Sequence, residues 1–436
     1  MVDGKKLILI GLNEINFDLV KVYLQKYKDR FSAFHRLIAR HEVITNSETE
    51  YENLEPWIQW ASIHTGLSFE EHKIFRLGDI VNSKKKQIFE VLEDFGYSVG
   101  AVSPMNAENR LNNPAYFIPD PWTDTNSDIS LSSKMLSTAI SQVVNDNSSS
   151  KLTLSSALVL GIGFVLFSNK RRLLKYLKLA VSSIGKPWRK ALFLDLFLHD
   201  IHLNKLRSKT PNFSILFLNG GAHIQHHYLF NTLINIEKKY QNPNWYVNKD
   251  IDPFFEMLDV YDCIISDYLD CRFYEFIFAT GLSQTVYDQI KFYYRLKKHK
   301  NFLNLLRIKF QNVYPRMTRD FLISFENHED ALKALIILQE IKVNGDDQLF
   351  GEIEIRTKEL FVTLSYSKEI NIHSQINFGV VKIDLFNHVS FVAIKNGMHQ
   401  AKGFIYSSSG LKPLLQKSEM NVKDLYKTIK SYFIDC

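Results

Sequence analysis

Cysteine is scarce in this chain, with three in 436 residues. Cys263, Cys271 and Cys436 form neither a zinc motif nor a disulfide framework. Their scarcity suits a reducing compartment and predicts a cytoplasmic location. Long apolar runs are missing too. The longest, residues 152–167, falls short of the ~20 residues of a spanning helix. The first apolar segment, Leu7-Ile8-Leu9-Ile10-Gly11-Leu12, is too short for a signal sequence and is followed at once by Glu14 and Asp18. No charge of one sign dominates: 53 basic and 47 acidic residues leave a net +6. That balance argues against a nucleic-acid partner and leans toward anionic small ligands. There is no internal repeat.

The composition supports a large folded chain, with 45% hydrophobic and 13% aromatic residues. Residues 7–12, 99–102, 213–218 and 276–279 read as short buried strands. Helical patterns fill 16–30, 87–96 and 251–270. Pro56 and Gly66 mark the start and stop of another helix. Strand, helix, strand in this order predicts an α/β fold with a mainly parallel central sheet and helices on both faces. Residues 1–111 and 206–436 form the expected core, and 112–205 an inserted helical segment or lid. Within it, 112–150 reads as a surface excursion. Residues 152–167 read as a buried helix hairpin, with an interfacial element as the alternative, because basic residues flank apolar faces through Lys190. Peripheral membrane contact through 152–190, at the inner membrane face, is the expectation attached to that alternative. Later strand-like runs are 360–364 and 389–394.

The segment Phe213 to Tyr228 concentrates the chemistry. A buried strand runs into Asn219-Gly220-Gly221, where the double glycine permits a sharp turn. His223, His226 and His227 follow at helical spacing, so 223 with 226 or 227 shares a face. Ligands of open α/β sheets sit beyond the carboxyl ends of strands. Other strand ends carry Asn13-Glu14, Thr280-Gly281 with Ser283-Gln284, and Lys395-Asn396-Gly397-Met398-His399 with Lys402.

Four of these places together resemble the alkaline phosphatase superfamily, in particular its type I phosphodiesterase and nucleotide pyrophosphatase branch. They are Leu7–Leu12 followed by Asn13; Ser62-Ile63-His64-Thr65-Gly66-Leu67 with His72 downstream; the histidine-rich segment, similar to Asp-x-x-x-His; and Gly397-Met398-His399 with Gly403. The resemblance implies an alkaline-phosphatase-like fold, two divalent metals and a Thr or Ser nucleophile. The chain departs from that pattern at Asn13, Pro56, Ala222 and Thr280-Gly281, where the family places charged ligands or the nucleophile. A dinuclear site carries four positive charges and needs anionic ligands, because an unpaired buried charge costs several kcal/mol. The expectation is therefore a degenerate site with at most one divalent metal, zinc or manganese, on His226 and His399, or none. Two imidazoles hold such an ion only with help from another group.

The residues expected to carry catalysis are Asn13, Glu55, His223, His226 and His399. Glu55, just before Pro56, lies at a helix N-terminus that favours an anion. Asn13 has an alternative role as a helix cap. The expected substrate-binding residues are Glu14, Gln59, Thr280, Gln284, Arg316, Arg319, Asn396 and Lys402. Arg316 and Arg319 are three apart, a spacing that suits phosphate or carboxylate recognition or a surface ion pair. The expected activity is that of a phosphodiesterase or a phosphoryl- or glycosyl-transfer enzyme on a phosphorylated or sugar-nucleotide-like substrate, without the two-metal mechanism. The alternative is a non-catalytic ligand-binding protein at a membrane surface in cell-envelope glycan assembly.

Overall fold

The computed structural model describes residues 4–145, 153–235, 239–316, 319–378 and 381–434. Val2, Asp3, Met317, Thr318 and Cys436, and residues 146–152 of the expected insertion, lie outside them.

Four expected apolar runs become strands, β1 (Leu7–Leu12), β3 (Val99–Val102), β5 (Phe213–Leu218) and β6 (Glu275–Ala279), and two strands not expected from the sequence join them, β2 (His41–Asn46) and β4 (Tyr116–Ile118). With Gly403–Ser407 and Glu419–Asn421 they form an eight-stranded sheet, ordered 419–421, β2, 403–407, β6, β1, β5, β3, β4. Only the 403–407 strand runs antiparallel to its neighbours. The architecture is α/β with a mainly parallel central sheet. The central strands are buried on both faces, which explains their continuous apolar runs. Along β1, Ile8, Ile10 and Leu12 enter one core cluster, while Leu7 and Leu9 enter the other.

Two compact units divide the chain: residues 1–286 with 397–436, and residues 287–396. Residues 287–396, expected as part of the core, form a unit of their own; their short strands carry no composition break in the sequence. The second unit holds two four-stranded sheets and the His328–Glu340 helix.

Two local expectations change. Residues 112–150 are not simply a surface excursion: Tyr116–Ile118 is a buried edge strand, and Leu131–Asn145 is a helix. Residues 154–167 do form a helix, with Thr153 capping its N-terminus. It is not buried, since Leu154, Leu158, Ile162, Val165 and Leu166 are all exposed. An apolar run alone does not report whether it finds a partner.

Several histidines are buried in the first unit. His64 contacts the Met105 carbonyl at 3.0 Å, and His202 bridges the Tyr268 hydroxyl (2.7 Å) and Ser214 Oγ (2.8 Å). Burial pushes His64 down to about 4 and His202 down to about 3. Between those values and the ordinary histidine range, the unfolded chain binds more protons, so stability falls as pH drops from about 6.5 toward 4. Each group is expected to contribute on the order of 3 kcal/mol to that loss. Urea unfolding across the window checks it, and His64→Gln should flatten the slope. A pH-independent midpoint would refute the expectation.

Candidate functional site

The carboxyl ends of β1, β5 and β6 meet at one edge of the sheet, since Leu12 pairs with Leu218 and Gly11 with Ala279. The pairing continues past the strands: Asn13 N donates to Leu218 O (3.1 Å) and Glu14 N to Thr280 O (3.0 Å). Glu14 then takes a left-handed backbone, φ 60°. Such a conformation costs a non-glycine residue about 1–2 kcal/mol. It is held by Gln225, whose Nε2 donates to Glu14 O (2.8 Å). The fully buried Glu14 carboxylate lies beside the two histidines.

The central cluster is compact. Glu14 Oε2 lies 3.1 Å from His226 Nε2 and 3.1 Å from His399 Nε2, and the two Nε2 atoms are 3.3 Å apart. Burial would raise the Glu14 pKa, but His399 and His226 more than offset it and hold the carboxyl well below the usual range. Its other oxygen accepts from Asn13 Nδ2 (3.0 Å), and Gln284 Nε2 donates to Oε2. Asn13 is fixed in turn by Trp60 Nε1 (3.1 Å) and donates to Asn219 Oδ1 (2.8 Å). Asn13 is not a helix cap; that role falls to Asn16, whose side chain accepts from Asp18 N and Leu19 N.

His226 rides on the Gly220–Tyr228 helix. Neither glycine there takes a positive φ. They are needed for space: a Cβ at 220 would lie 2.5 Å from Asp195 Oδ2, and one at 221 would lie 2.8 Å from Ile15. Asp195 accepts from Gly220 N (2.7 Å) and Asn219 N (3.3 Å), satisfying the helix N-terminus. Burial pushes its carboxyl up to about 6. His399 lies near the end of the Val389–Gln400 strand. Its Nδ1 is 3.8 Å from Glu55 Oε2, and Glu55 precedes the Pro56–Thr65 helix without capping it through its side chain.

The three donor atoms form a triangle of 3.1–3.3 Å edges. A zinc ion with bonds of about 2.0–2.1 Å spaces tetrahedral ligands about 3.3 Å apart, so the donors present fit one divalent cation. Two imidazoles and one carboxylate are also a common catalytic ligand set that leaves a position open. Among the described residues this is the one group of three potential ligands with such spacing.

Glu14, expected among the substrate contacts, stands at the centre of the cluster. The missed signal was the acid directly after Asn13, displaced by one residue from the expected ligand position. Asn219, Gln225 and Asp195 were also missed, because their roles depend on neighbours distant in sequence.

Other expected residues are occupied elsewhere. His223 packs its ring on His227, with centroids 4.7 Å apart, and burial pushes it down to about 4. It stands outside the three-donor group. Gln59 donates to Asn53 O (3.0 Å). The Thr280 hydroxyl accepts from Phe404 N (2.9 Å), tying down the 403–407 strand. Lys402 pairs with Asp18 at 2.6 Å. Arg316, Arg319 and Asn396 belong to the second unit, where the Arg319 guanidinium lies over the Tyr293 ring at 4.5 Å.

No protein-family model and no curated protein matches the chain. Solved structures do. Murine ectonucleotide pyrophosphatase/phosphodiesterase 5 is 12% identical, over 98% of this chain and 95% of that one, with a TM-score of 0.41. Phosphonoacetate hydrolase from Sinorhizobium meliloti is 10% identical, over 98% and 96%, with a TM-score of 0.40. Thermus thermophilus alkaline phosphatase is 11% identical, over 99% and 92%, with a TM-score of 0.41.

Proposed function

We propose that Glu14, His226 and His399 hold one divalent cation, zinc or manganese, and that the site acts on a phosphorylated or sugar-nucleotide-like small molecule as a phosphoryl-transfer hydrolase. The observation that carries this reading is the triangle of donors around a buried carboxylate at the carboxyl edge of the parallel sheet. A bound cation would polarise a phosphoryl oxygen. The chain's own groups do the rest. Asn13 and Gln284 fix the carboxylate, and Glu55 stands beside His399, where an acid can orient the imidazole or exchange a proton with it. A cytoplasmic location with peripheral contact at the inner membrane face belongs to the same reading, supported by the scarcity of cysteine and the basic flank of 152–190.

Metal content of the purified chain, titration calorimetry with zinc and manganese, and turnover of phosphomonoester and phosphodiester substrates test it. His226→Ala and His399→Ala should each remove the metal and the activity together. Unchanged activity in both variants refutes the reading. A second reading, binding without turnover, draws on Pro56, which stands where the resemblance expects a nucleophile. Ligand binding by a metal-loaded chain that turns over no phosphate ester would favour it.

A further inference from the structure

One stretch of the inserted segment carries charge of one sign only. Between 147 and 194 there are nine basic residues and no acidic one. Some of these cations are structural. Arg172 pairs with Asp200 (2.6 Å) and with Asp267, Lys175 with Asp259 (3.3 Å), and Arg189 with Glu256. Lys170, Arg171, Lys178 and Lys190 are different: they are exposed and form no ion pair among the described residues.

Beside these cations lies uncovered apolar surface. The Leu154–Phe167 helix has no charged residue, and the Leu173–Val181 helix follows after one turn. Leu158 is 65% exposed, Leu174 83% and Ile184 90%. Large exposed apolar patches mark protein or membrane interaction sites. Beneath this apolar surface is a cavity of about 480 Å³, lined by Leu160, Gly161, Phe164, Leu179, Phe193 and Phe197, with Lys190 also on its wall. Its size falls in the range of small-molecule pockets, but its lining is almost entirely apolar. No described helix is long and apolar enough to cross a membrane.

We propose that residues 154–190 form an interfacial docking surface for an anionic lipid bilayer, and that the cavity beneath takes one lipid acyl chain. The two halves of the surface match the two halves of that partner. Exposed leucine, isoleucine and valine side chains enter the acyl boundary, while unpaired lysine and arginine meet anionic headgroups. An acidic protein groove would satisfy the charge but not the row of aliphatic side chains and the greasy cavity together. The proposal deepens the peripheral membrane contact of the proposed function and rests on no chemistry of the metal site.

Flotation of the full chain with vesicles tests it. Vesicles of phosphatidylcholine with phosphatidylglycerol should recruit the protein, and vesicles of phosphatidylcholine alone should recruit it poorly. High salt should weaken binding. Lys170→Glu with Arg171→Glu, or Leu174→Glu, should each reduce anionic-vesicle binding about tenfold or more. These residues are exposed, so an unchanged thermal midpoint verifies that the variants fold. Gly161 stands on the cavity wall, and a Cβ there meets nothing within 4 Å, so Gly161→Leu adds a side chain at the cavity. It should abolish uptake of lyso-phosphatidylglycerol, read by native mass spectrometry. Absence of anionic-vesicle binding overturns the proposal, as does binding that ignores both charge and leucine variants. Concentration-dependent self-association lost in Leu174→Glu, without vesicle binding, assigns the face to a second copy of the chain instead. Unaltered lyso-lipid uptake in Gly161→Leu overturns the role of the cavity.

Discussion

Glu14→Gln is expected to weaken zinc or manganese binding by at least about 100-fold. The substitution keeps the size of the side chain and removes its charge. It leaves a cation held by two neutral imidazoles with no anion beside it, in a place where burial makes charge compensation decisive. The native carboxylate also accepts from Asn13 Nδ2 and Gln284 Nε2. A glutamine amide turns one of its ends into a donor facing those donors, so the variant should also lose about 1–3 kcal/mol of stability. Titration calorimetry measures the first effect and urea unfolding the second. Wild-type metal affinity in Glu14→Gln would remove Glu14 from the ligand set. Glu55→Gln provides the contrast. Glu55 Oε2 lies 3.8 Å from His399 Nδ1 and stands outside the three-donor group. Its loss should leave metal bound and act mainly on turnover and its pH profile.

Gly397→Ala is the second large effect. A Cβ at 397 would lie 2.1 Å from Gln284 Oε1 and 2.7 Å from the Gln225 carbonyl oxygen. Both partners serve the site directly: Gln284 holds the Glu14 carboxylate and Gln225 its backbone carbonyl. His399 lies two residues further along the same strand. One methyl group there must displace the histidine, the glutamine, or both. The expected cost is about 1–3 kcal/mol of stability, with metal affinity falling in parallel. Gly161→Ala provides the control, since open space surrounds that position and a helical alanine is favoured over glycine by about 1 kcal/mol. Equal stability of Gly397→Ala and the wild type would show that the strand can shift without disturbing the site.

Much of this protein is legible in one dimension. Continuous apolar runs at 7–12, 213–218 and 276–279 can only be satisfied inside a two-faced layer, so they declare the parallel core and place its carboxyl ends. His226 and His399 were identified from motif and strand-end position, and they meet within hydrogen-bonding distance. Local chemistry also sets the helix start at Pro56 and its stop at Gly66, because proline presets one dihedral and glycine tolerates the left-handed one.

What tertiary structure alone decides are the relations that depend on contact rather than pattern. The left-handed turn at Glu14 exists because Gln225, more than two hundred residues away, holds its carbonyl, and that turn converts an apparent bystander into the central carboxylate. Gly220 and Gly221 are small because Asp195 and Ile15 press on them, not because the backbone must turn. Gln284, Thr280 and Lys402 look like free polar groups in the sequence and are committed to neighbours in the fold. The apolar helix at 154–167 carries the composition of a core element, and only its surroundings reveal that most of its outer face meets solvent. Hydrophobicity and hydrogen-bonding capacity are properties of the residue, whereas their satisfaction is a property of the neighbours that folding brings.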